Sequence, residues 1–386
     1  MGLGVLALAY ITIGFKSLVI DENGASDLHY RWVDQSYVAK GRNPYAVYLA
    51  NRDGAGLSPD ETTRIDPDIG PVEAIGNPPW TLTIMDAFVL PASWSVTRVY
   101  FAVLNALAII LIGVGVYRLG RTVDPETGLI CLTASFAISA TAITLRHGQV
   151  SILILLALAA NAYFLWRRRQ VLAGLCFAIA MVKPHISLLF GLIAIVRRDW
   201  ICVLSAGVVL IVASLVAGVR VGTSPVELLR QAVAGARDWE SLMYVGLFDF
   251  LREFGVDIST VVTIGVATGL LATFGILLAL KDRNLILMMA VCATITLVWT
   301  YTRRYDQVLL VFLLLGLAIA AAKSGKRLLW ITFGIVGATL WFPVTERIWT
   351  GGFAIVANLI WIGGLLILLR YKRYVQFPLT HGGTQE

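Results

Sequence analysis

The chain has 386 residues, of which 58% are hydrophobic and 14% are charged, with a formal net charge of +7. Its mean hydropathy is +0.78. Soluble domains contain about 25% charged residues, so this composition excludes an ordinary soluble globular protein. The basic residues lie in short clusters between long apolar runs, which is typical of membrane topology and not of a nucleic-acid-binding surface. The composition predicts an all-α, polytopic integral membrane protein with no nucleic-acid partner.

Twelve apolar runs predict a bundle of about 11–12 transmembrane helices, since about 20 helical residues cross a bilayer. The runs cover residues 2–20, 97–117, 127–145, 149–166, 171–182, 185–196, 200–219, 259–280, 284–301, 307–322, 328–344 and 353–370. Two of them are short and meet at Lys183-Pro184, where a charge and a proline interrupt the apolar sequence. Irregular backbone at membrane depth must be buried in protein or line a cavity. We therefore expect two short helices that meet there at an outward-facing turn.

The connections between the runs form two sets. One set is short and rich in Lys and Arg, and the other includes the long loops 21–96 and 220–258. The positive-inside rule places the basic set and both termini in the cytoplasm, and the long loops outside. We expect one transmembrane domain over residues 1–373 and a short cytoplasmic tail over residues 374–386. The membrane is expected to be the bacterial inner (cytoplasmic) membrane.

The first long loop opens with a polar stretch that predicts a juxtamembrane helix. It begins near Ser26 and is ended by the turn Gly41-Arg42-Asn43-Pro44. Asp27 is the candidate catalytic residue, because a carboxylate at the membrane surface can take the proton from an incoming hydroxyl. In the alternative interpretation, Ser26 or Asp27 only caps the helix.

Three further polar residues share the helix face of Asp27, at spacings of three, four and seven residues. They are Tyr30, Arg31 and Asp34. We expect Asp34 to pair with Arg31 or Lys40, and we also keep it as a candidate for a direct contact with substrate.

Three turns on the outer side carry basic residues, against the charge pattern of the rest of the chain. Together they indicate a shared anionic partner, and phosphate is the natural candidate for Arg forks and Lys ammonium groups. In the alternative interpretation, each cation reaches for lipid headgroups. The candidate donor-phosphate ligands are Lys183, Arg303, Arg304, Arg146 and His147.

The remaining candidates are polar or aromatic residues near these turns. Asn77-Pro78-Pro79-Trp80 and Asn43-Pro44-Tyr45 are typical turn sequences, and Gln149 offers an amide after Gly148. The chain has no metal-ligand spacing, so we expect no metal and no other cofactor. The candidate sugar- or acceptor-binding residues are Tyr30, Asp34, Tyr45, Asn77, Gln149 and His185.

In chain order, these features resemble glycosyltransferase family 87, which belongs to the membrane-embedded GT-C glycosyltransferases. The resemblance rests on Asp27-Leu28, Gly41-x-Asn43-Pro44-Tyr45, Pro78-Pro79, Gly148-Gln149 and Lys183-Pro184. It implies an inverting, metal-independent hexosyltransferase, with mannose as the expected sugar and Asp27 as base. The donor would be a polyprenyl-phosphate-sugar and the acceptor lipid-linked or glycan-linked, on the extracytoplasmic side of the bilayer. Asn77 replaces a tyrosine common in the family, and some members carry a histidine near the position of Arg304.

Two other functions fit parts of the pattern. A transporter or flippase of a lipid-linked or anionic solute would also use split helices with a proline near its site. The large outer loop and the lack of an internal repeat favour the enzyme. A non-catalytic subunit of an envelope-assembly machine is the third hypothesis, and it predicts that Asp27 and Lys183 tolerate substitution.

Overall fold

The computed structural model describes residues 2–52, 63–73, 77–236, 258–280, 284–299, 302–342 and 352–375. In these ranges the regular secondary structure is helical, apart from one isolated bridge between Asp66 and Gly70. The first α-helices are α1 Gly2–Val19, α2 Ser26–Ala39, α3 Pro44–Arg52, α4 Pro79–Ile84, α5 Trp94–Arg121, α6 Pro125–Phe136, α7 Ser139–His147, α8 Ser151–Trp166 and α9 Gln170–Ala180. They are followed by α10 Pro184–Val196, α11 Trp200–Arg220, α12 Pro225–Ala236, α13 Ile258–Ala279, α14 Leu285–Trp299, α15 Val311–Ser324, α16 Arg327–Trp341 and α17 Gly352–Arg370. The described residues also contain the short 3₁₀ segments η1 Met85–Ala87, η2 Arg304–Leu310 and η3 Lys372–Val375.

The helices confirm an all-α polytopic membrane protein. Among the described residues, α1, α5, α11, α17 and the continuous η2–α15 segment are each long and apolar enough to cross a membrane. Each of the other predicted runs also contains a helix, but most of these helices are shorter. Residues 237–257 of the second long loop and residues 376–386 of the predicted tail lie outside the described ranges.

One predicted run, 127–145, is not a continuous helix. It is divided into α6 and α7, whose axes differ by 45°. The break at Ala137 and Ile138 contains neither proline nor glycine, and Ile138 has an extended backbone with φ −63° and ψ 123°. In the turn before the break, the Ser135 hydroxyl donates to the Cys131 carbonyl at 2.7 Å, a contact that commonly accompanies helix bending. Helix α7 thereby leaves the line of α6 and packs against α1.

The apolar residues form two clusters. The larger one fills the helix bundle and includes almost all of α14 and α15, which are buried on every side. The smaller cluster lies on one side of α2, where Val33, Tyr37 and Val38 pack with residues of α3 and α12. Helix α2 therefore has an apolar face turned toward this second cluster, in addition to the polar face predicted from the sequence.

The turn between α1 and α2 is held from two sides. The Arg98 guanidinium of α5 donates to the carbonyls of Leu18 and Asp21, both at 2.7 Å. The Ala25 N–H donates to the Arg146 carbonyl at 2.7 Å. Ala25 is the residue before the helix, with φ 59°, and no side chain caps α2. The prediction that Ser26 or Asp27 caps α2 is therefore wrong, but Asp27 does lie in the first turn of the helix, where a carboxylate favours the helix dipole.

Candidate functional site

The turn between α7 and α8 lies directly against the first turn of α2. Gly148 ends α7 with φ +65°, and a Cβ atom there would lie 2.5 Å from the Leu28 Cβ atom. A side chain at this position would force the two helices apart, so glycine is required for both its backbone conformation and this close approach. The contact brings the neighbouring residues Asp27 and Gln149 together.

Asp27 is held by the amide of Gln149. The Gln149 Nε2 atom donates to Asp27 Oδ2, which leaves Oδ1 with only a long contact of 3.5 Å from the Ser26 hydroxyl. Ser26 Oγ also lies 3.1 Å from His147 Nδ1. Among the described residues, Asp27 thus has one oxygen in a close hydrogen bond and one oxygen with only this long contact, which can meet a hydroxyl.

Lys183 lies on the other side of Gln149. Its ammonium donates to Gln149 Oε1 at 3.3 Å, to Ser151 Oγ at 3.2 Å and to Asp306 Oδ1 at 2.7 Å. The ammonium also lies 4.4 Å from the centre of the Tyr305 ring. Because an ammonium has three N–H groups, these three bonds use its full donor capacity. A direct bond from Lys183 to a phosphate would replace one of them.

Asp306 is the partner that makes this buried lysine possible. Asp306 is 0% exposed and Lys183 is 8% exposed. The carboxylate also accepts from the Ser151 hydroxyl at 2.8 Å and from the Arg303 backbone N–H at 3.1 Å. In the sequence, Asp306 follows Arg303 and Arg304 in the same turn, where an arginine would be its nearest basic partner. Its ion pair is instead with a lysine more than a hundred residues earlier.

These contacts form one continuous polar row of four residues. We call Asp27, Gln149, Lys183 and Asp306 the polar row; they come from α2, the α7–α8 turn, the α9–α10 turn and η2. The turn before α10 is fixed in addition by the Trp80 indole, which donates to the Met181 carbonyl at 2.8 Å. The three basic turns, for which the sequence predicts a shared anionic partner, lie together here, through contacts of α7 and α8 with η2 and the Lys183–Asp306 pair.

Arg303 and Arg304, the two arginines at the start of η2, act on different neighbours. The charge of Arg303 lies within electrostatic range of Tyr30 on α2 and of His185 on α10. The charge of Arg304 instead acts on Tyr10 of α1. Arg303 borders the polar row through its backbone N–H, which donates to Asp306 Oδ2 at 3.1 Å, while the charge of Arg304 acts toward α1.

Tyr30 borders the row from α2. Burial of the Tyr30 phenol, a hydrogen bond to Glu73 and the negative charges of Glu73 and Asp27 raise its pKa. The charge of Arg303 opposes this effect. The phenol therefore stays protonated at neutral pH and can both donate and accept hydrogen bonds beside Asp27.

A family model for glycosyltransferase family 87 matches residues 77–300, more than half of the chain. The chain belongs to glycosyltransferase family 87. No curated protein sequence matches it. The matched range contains Gln149 and Lys183 of this family 87 protein, whereas Asp27 and Asp306 lie on either side of that range.

A second polar group of this family 87 protein lies further along α2. Arg31 donates to Asp34 Oδ2 at 2.9 Å, and the Asn77 amide oxygen, in the orientation that satisfies both groups, accepts from Arg31 Nη2 at 3.1 Å. The buried Tyr45 hydroxyl donates to the Asn77 backbone carbonyl at 2.7 Å. Burial raises the pKa of Asp34 to about 6, although Arg31 lowers it. Of the two expected partners of Asp34, Arg31 is confirmed, while Lys40 pairs with Asp66 at 2.8 Å.

The structure thus separates the predicted site residues into three groups. The polar row and its immediate border contain Asp27, Tyr30, His147, Gln149, Lys183, His185 and Arg303. Asp34 and Asn77 bind the Arg31 guanidinium, and the Tyr45 hydroxyl holds the Asn77 backbone. Direct sugar contacts by these three residues remain predictions. Arg304 lies toward α1, and the exposed Arg146 side chain lies at the rim, with its carbonyl bonded to Ala25.

Ser151 and Asp306 are the members of this centre that sequence reasoning missed as functional residues. A signal for Asp306 was present, because a lysine flanked by apolar helices needs a carboxylate partner. Asp306 is the acid that follows Arg303 and Arg304 in the sequence. Its sequence separation from Lys183 gave no means of choosing it.

Proposed function

We propose that this protein is an inverting, metal-independent hexosyltransferase that uses a polyprenyl-phosphate-sugar donor, with mannose as the expected sugar. The acceptor is lipid-linked or glycan-linked, and transfer takes place at the extracytoplasmic surface of a bacterial inner membrane. Both termini are cytoplasmic in this proposal, and residues 1–373 act as one transmembrane catalytic domain. No cofactor takes part.

One observation supports this proposal above the others: Gln149 bridges the Asp27 carboxylate and the buried Lys183 ammonium. A base and a cation at fixed separation are what an in-line sugar transfer from phosphate needs. The carboxylate takes the proton of the attacking hydroxyl, and positive charge stabilises the departing phosphate. The side-chain amide keeps the two groups apart, so that they do not neutralise each other directly.

The proposed reaction proceeds in one displacement. The acceptor hydroxyl donates its proton to Asp27 Oδ1 and its oxygen attacks the anomeric carbon. The bond from that carbon to the phosphate oxygen breaks, and the electron pair leaves with the polyprenyl phosphate. Attack on the face opposite the leaving group inverts the anomeric configuration. Positioning and charge stabilisation provide the rate enhancement.

The proposed phosphate contacts follow from the positions of the cations around the polar row. Lys183 has its three N–H groups engaged, so its proposed part is to contribute positive charge and to hold Gln149. The charge of Arg303 acts on both Tyr30 and His185, its backbone N–H holds Asp306, and its planar fork suits phosphate oxygens. We therefore assign the first direct phosphate contact to Arg303, with His147 and His185 beside it and with Arg146 and Arg304 further out.

A transfer assay with a donor panel tests the proposal. Purified protein in nanodiscs is given polyprenyl-phosphate-mannose, polyprenyl-phosphate-glucose or the matching sugar nucleotides, together with an extracted lipid acceptor pool. We expect transfer from the mannose lipid donor, no transfer from the nucleotides, inverted configuration in the product by NMR and no loss with EDTA. Transfer from a nucleotide sugar, a retained configuration or chelator sensitivity would contradict it. Movement of intact donor across the bilayer without transfer would favour the transporter alternative.

A further inference from the structure

Helix α12 carries an exposed apolar stripe in addition to its buried one. Leu228 and Ala232 are buried in the second apolar cluster. On the opposite side, Val226 is 77% exposed, Leu229 46% and Val233 52%. These residues recur at spacings of three and four, so they line one face of the helix. A helix lying in water would carry polar residues there.

The helix that precedes this stripe, α11, also has an apolar exposed side. Helix α11 is one of the helices long and apolar enough to cross a membrane, and its exposed side is apolar along its whole length. That side carries Leu204, Val208, Ile211, Leu215 and Val219. Helix α12 begins after a turn of only four residues, 221–224, in which Gly222 has φ +63°. The exposed stripe of α12 therefore starts at the level where the membrane span ends.

The border of the stripe suits a membrane interface. Arg230 lies beside Leu229 with its side chain 83% exposed, and pairs with Glu227 at 3.7 Å. A long basic side chain at this place can keep its stem along lipid and its charge in the headgroup region. Amphipathic helices of this composition lie in the plane of the interface with the apolar side toward the acyl chains.

We propose that α12 is an interfacial helix whose stripe, Val226, Leu229 and Val233, inserts into the bilayer leaflet at which α11 ends. Its occupant is lipid rather than a second protein. This inference depends on the membrane assignment of α11 and not on the proposed function.

The contacts on the other side of α12 give this insertion a consequence for α2. The Asn43 amide, in the turn that follows α2, donates to Gln231 Oε1 at 2.8 Å and to Thr223 Oγ1 at 3.2 Å. Leu228 shares its apolar cluster with Val33 and Tyr37 of α2. An α12 that rests on the bilayer therefore sets the height of α2, and of Asp27, above the membrane surface.

Depth-dependent fluorescence quenching tests the insertion. Single cysteines replace Leu229, or Glu227 as the matched control two residues earlier, in a Cys176→Ala background. The other three native cysteines are buried. Each variant is labelled with an NBD maleimide and reconstituted in phosphatidylcholine nanodiscs. Quenching by doxyl-labelled phosphatidylcholine is then compared with quenching by aqueous iodide, on protein that elutes as a single folded peak.

We expect the label at position 229 to be quenched at least twofold more strongly by the doxyl lipid than the label at position 227, with the reverse order for iodide. Strong iodide quenching at both positions would mean that α12 lies in water and would overturn the proposal. Protection of position 229 from both quenchers would overturn it as well, because protein would then cover the stripe.

Discussion

The two faces of α2 are built in different ways. On one face, Asp27 is joined to a row of polar groups that ends in a buried ion pair, and almost every donor and acceptor of that row has a fixed partner. On the other face, Val33, Tyr37 and Val38 lie in an apolar cluster. Apolar packing is non-directional, whereas a buried polar row stabilises the fold only when it is complete. We therefore expect changes on the polar face to alter both stability and catalysis, and changes on the apolar face to alter stability alone.

The largest effect is expected for Lys183→Met, which leaves Asp306 buried without its cation. The loss of one partner of a buried pair costs about 3–5 kcal/mol in the free energy of unfolding. The double variant Lys183→Met/Asp306→Asn removes both charges and is expected to recover most of the apparent Tm in detergent, but not the transfer activity. If the single variant is as stable as wild type, the pair is not the buried contact described here.

The next largest effect is a pH dependence of the folding stability that arises at Asp34. Its folded-state pKa of about 6 lies above the ordinary 3.8. The folded protein therefore holds this proton more tightly than the unfolded chain does. The resulting stability is full below about pH 4 and is lost as the pH rises through 6. At about 1.4 kcal/mol per pKa unit, the difference amounts to about 3 kcal/mol.

Thermal unfolding of wild type and Asp34→Asn between pH 4 and 7 measures this effect. The asparagine imitates the protonated form, so the variant is expected to match wild type near pH 4 and to be the more stable protein at pH 7. A constant difference between the two across this range would show that Asp34 does not titrate there.

The third effect concerns the contact between α2 and the α7–α8 turn. In Gly148→Ala, the new methyl group meets Leu28, whereas Gly222, with a nearly identical φ, has open space around its Cβ position. We expect Gly222→Ala to lose about 1 kcal/mol from the left-handed backbone alone and Gly148→Ala to lose about 2 kcal/mol or more. Gly148→Ala is also expected to lower the transfer rate of the folded protein, because Asp27 moves away from Gln149. Equal losses in both variants would argue against the close approach.

The smallest effect is expected on the apolar face. The Tyr37 hydroxyl donates to the Gly70 carbonyl at 2.9 Å and accepts from the Asp66 N–H at 2.8 Å. Tyr37→Phe removes both bonds and is expected to lower the free energy of unfolding by about 1–2 kcal/mol. Transfer per folded molecule should stay at the wild-type level. A selective loss of turnover in this variant would mean that the two faces of α2 are not independent.

Much of the fold could be predicted from the sequence, because apolar runs and turn residues act locally. All twelve runs contain helices, the two short ones meet beside Lys183, and α2 covers Ser26–Ala39 as its pattern predicts. The break between α6 and α7 was not predictable, since Ala137 and Ile138 carry no breaking residue. Helices α3, α4 and α12 lie inside the predicted loops 21–96 and 220–258, where each is too short to give a clear periodic pattern.

The candidate site could be predicted in its location but not in its connections. Basic residues in three turns on the predicted outer side indicate that these turns share an anionic partner. The structure brings the three turns together. The partners within the site depend on contacts between residues far apart in the chain. Lys183 and Asp306 are 123 residues apart, and Asp27 and Gln149 are 122 apart. No local pattern distinguishes Asp306 as an ion-pair partner from an acid that closes its own turn.

Single-turnover transfer by Asp27→Asn, with donor binding measured on the same samples, tests the central claim most directly. Glu22→Gln, which changes an exposed acid in the connection just before α2, is the matched control. A general base contributes about 10²–10⁴-fold, so we predict a loss of that size in Asp27→Asn with unchanged donor affinity, and no loss in Glu22→Gln. Transfer at the wild-type rate by folded Asp27→Asn would contradict the account and would leave the polar row as a purely structural element.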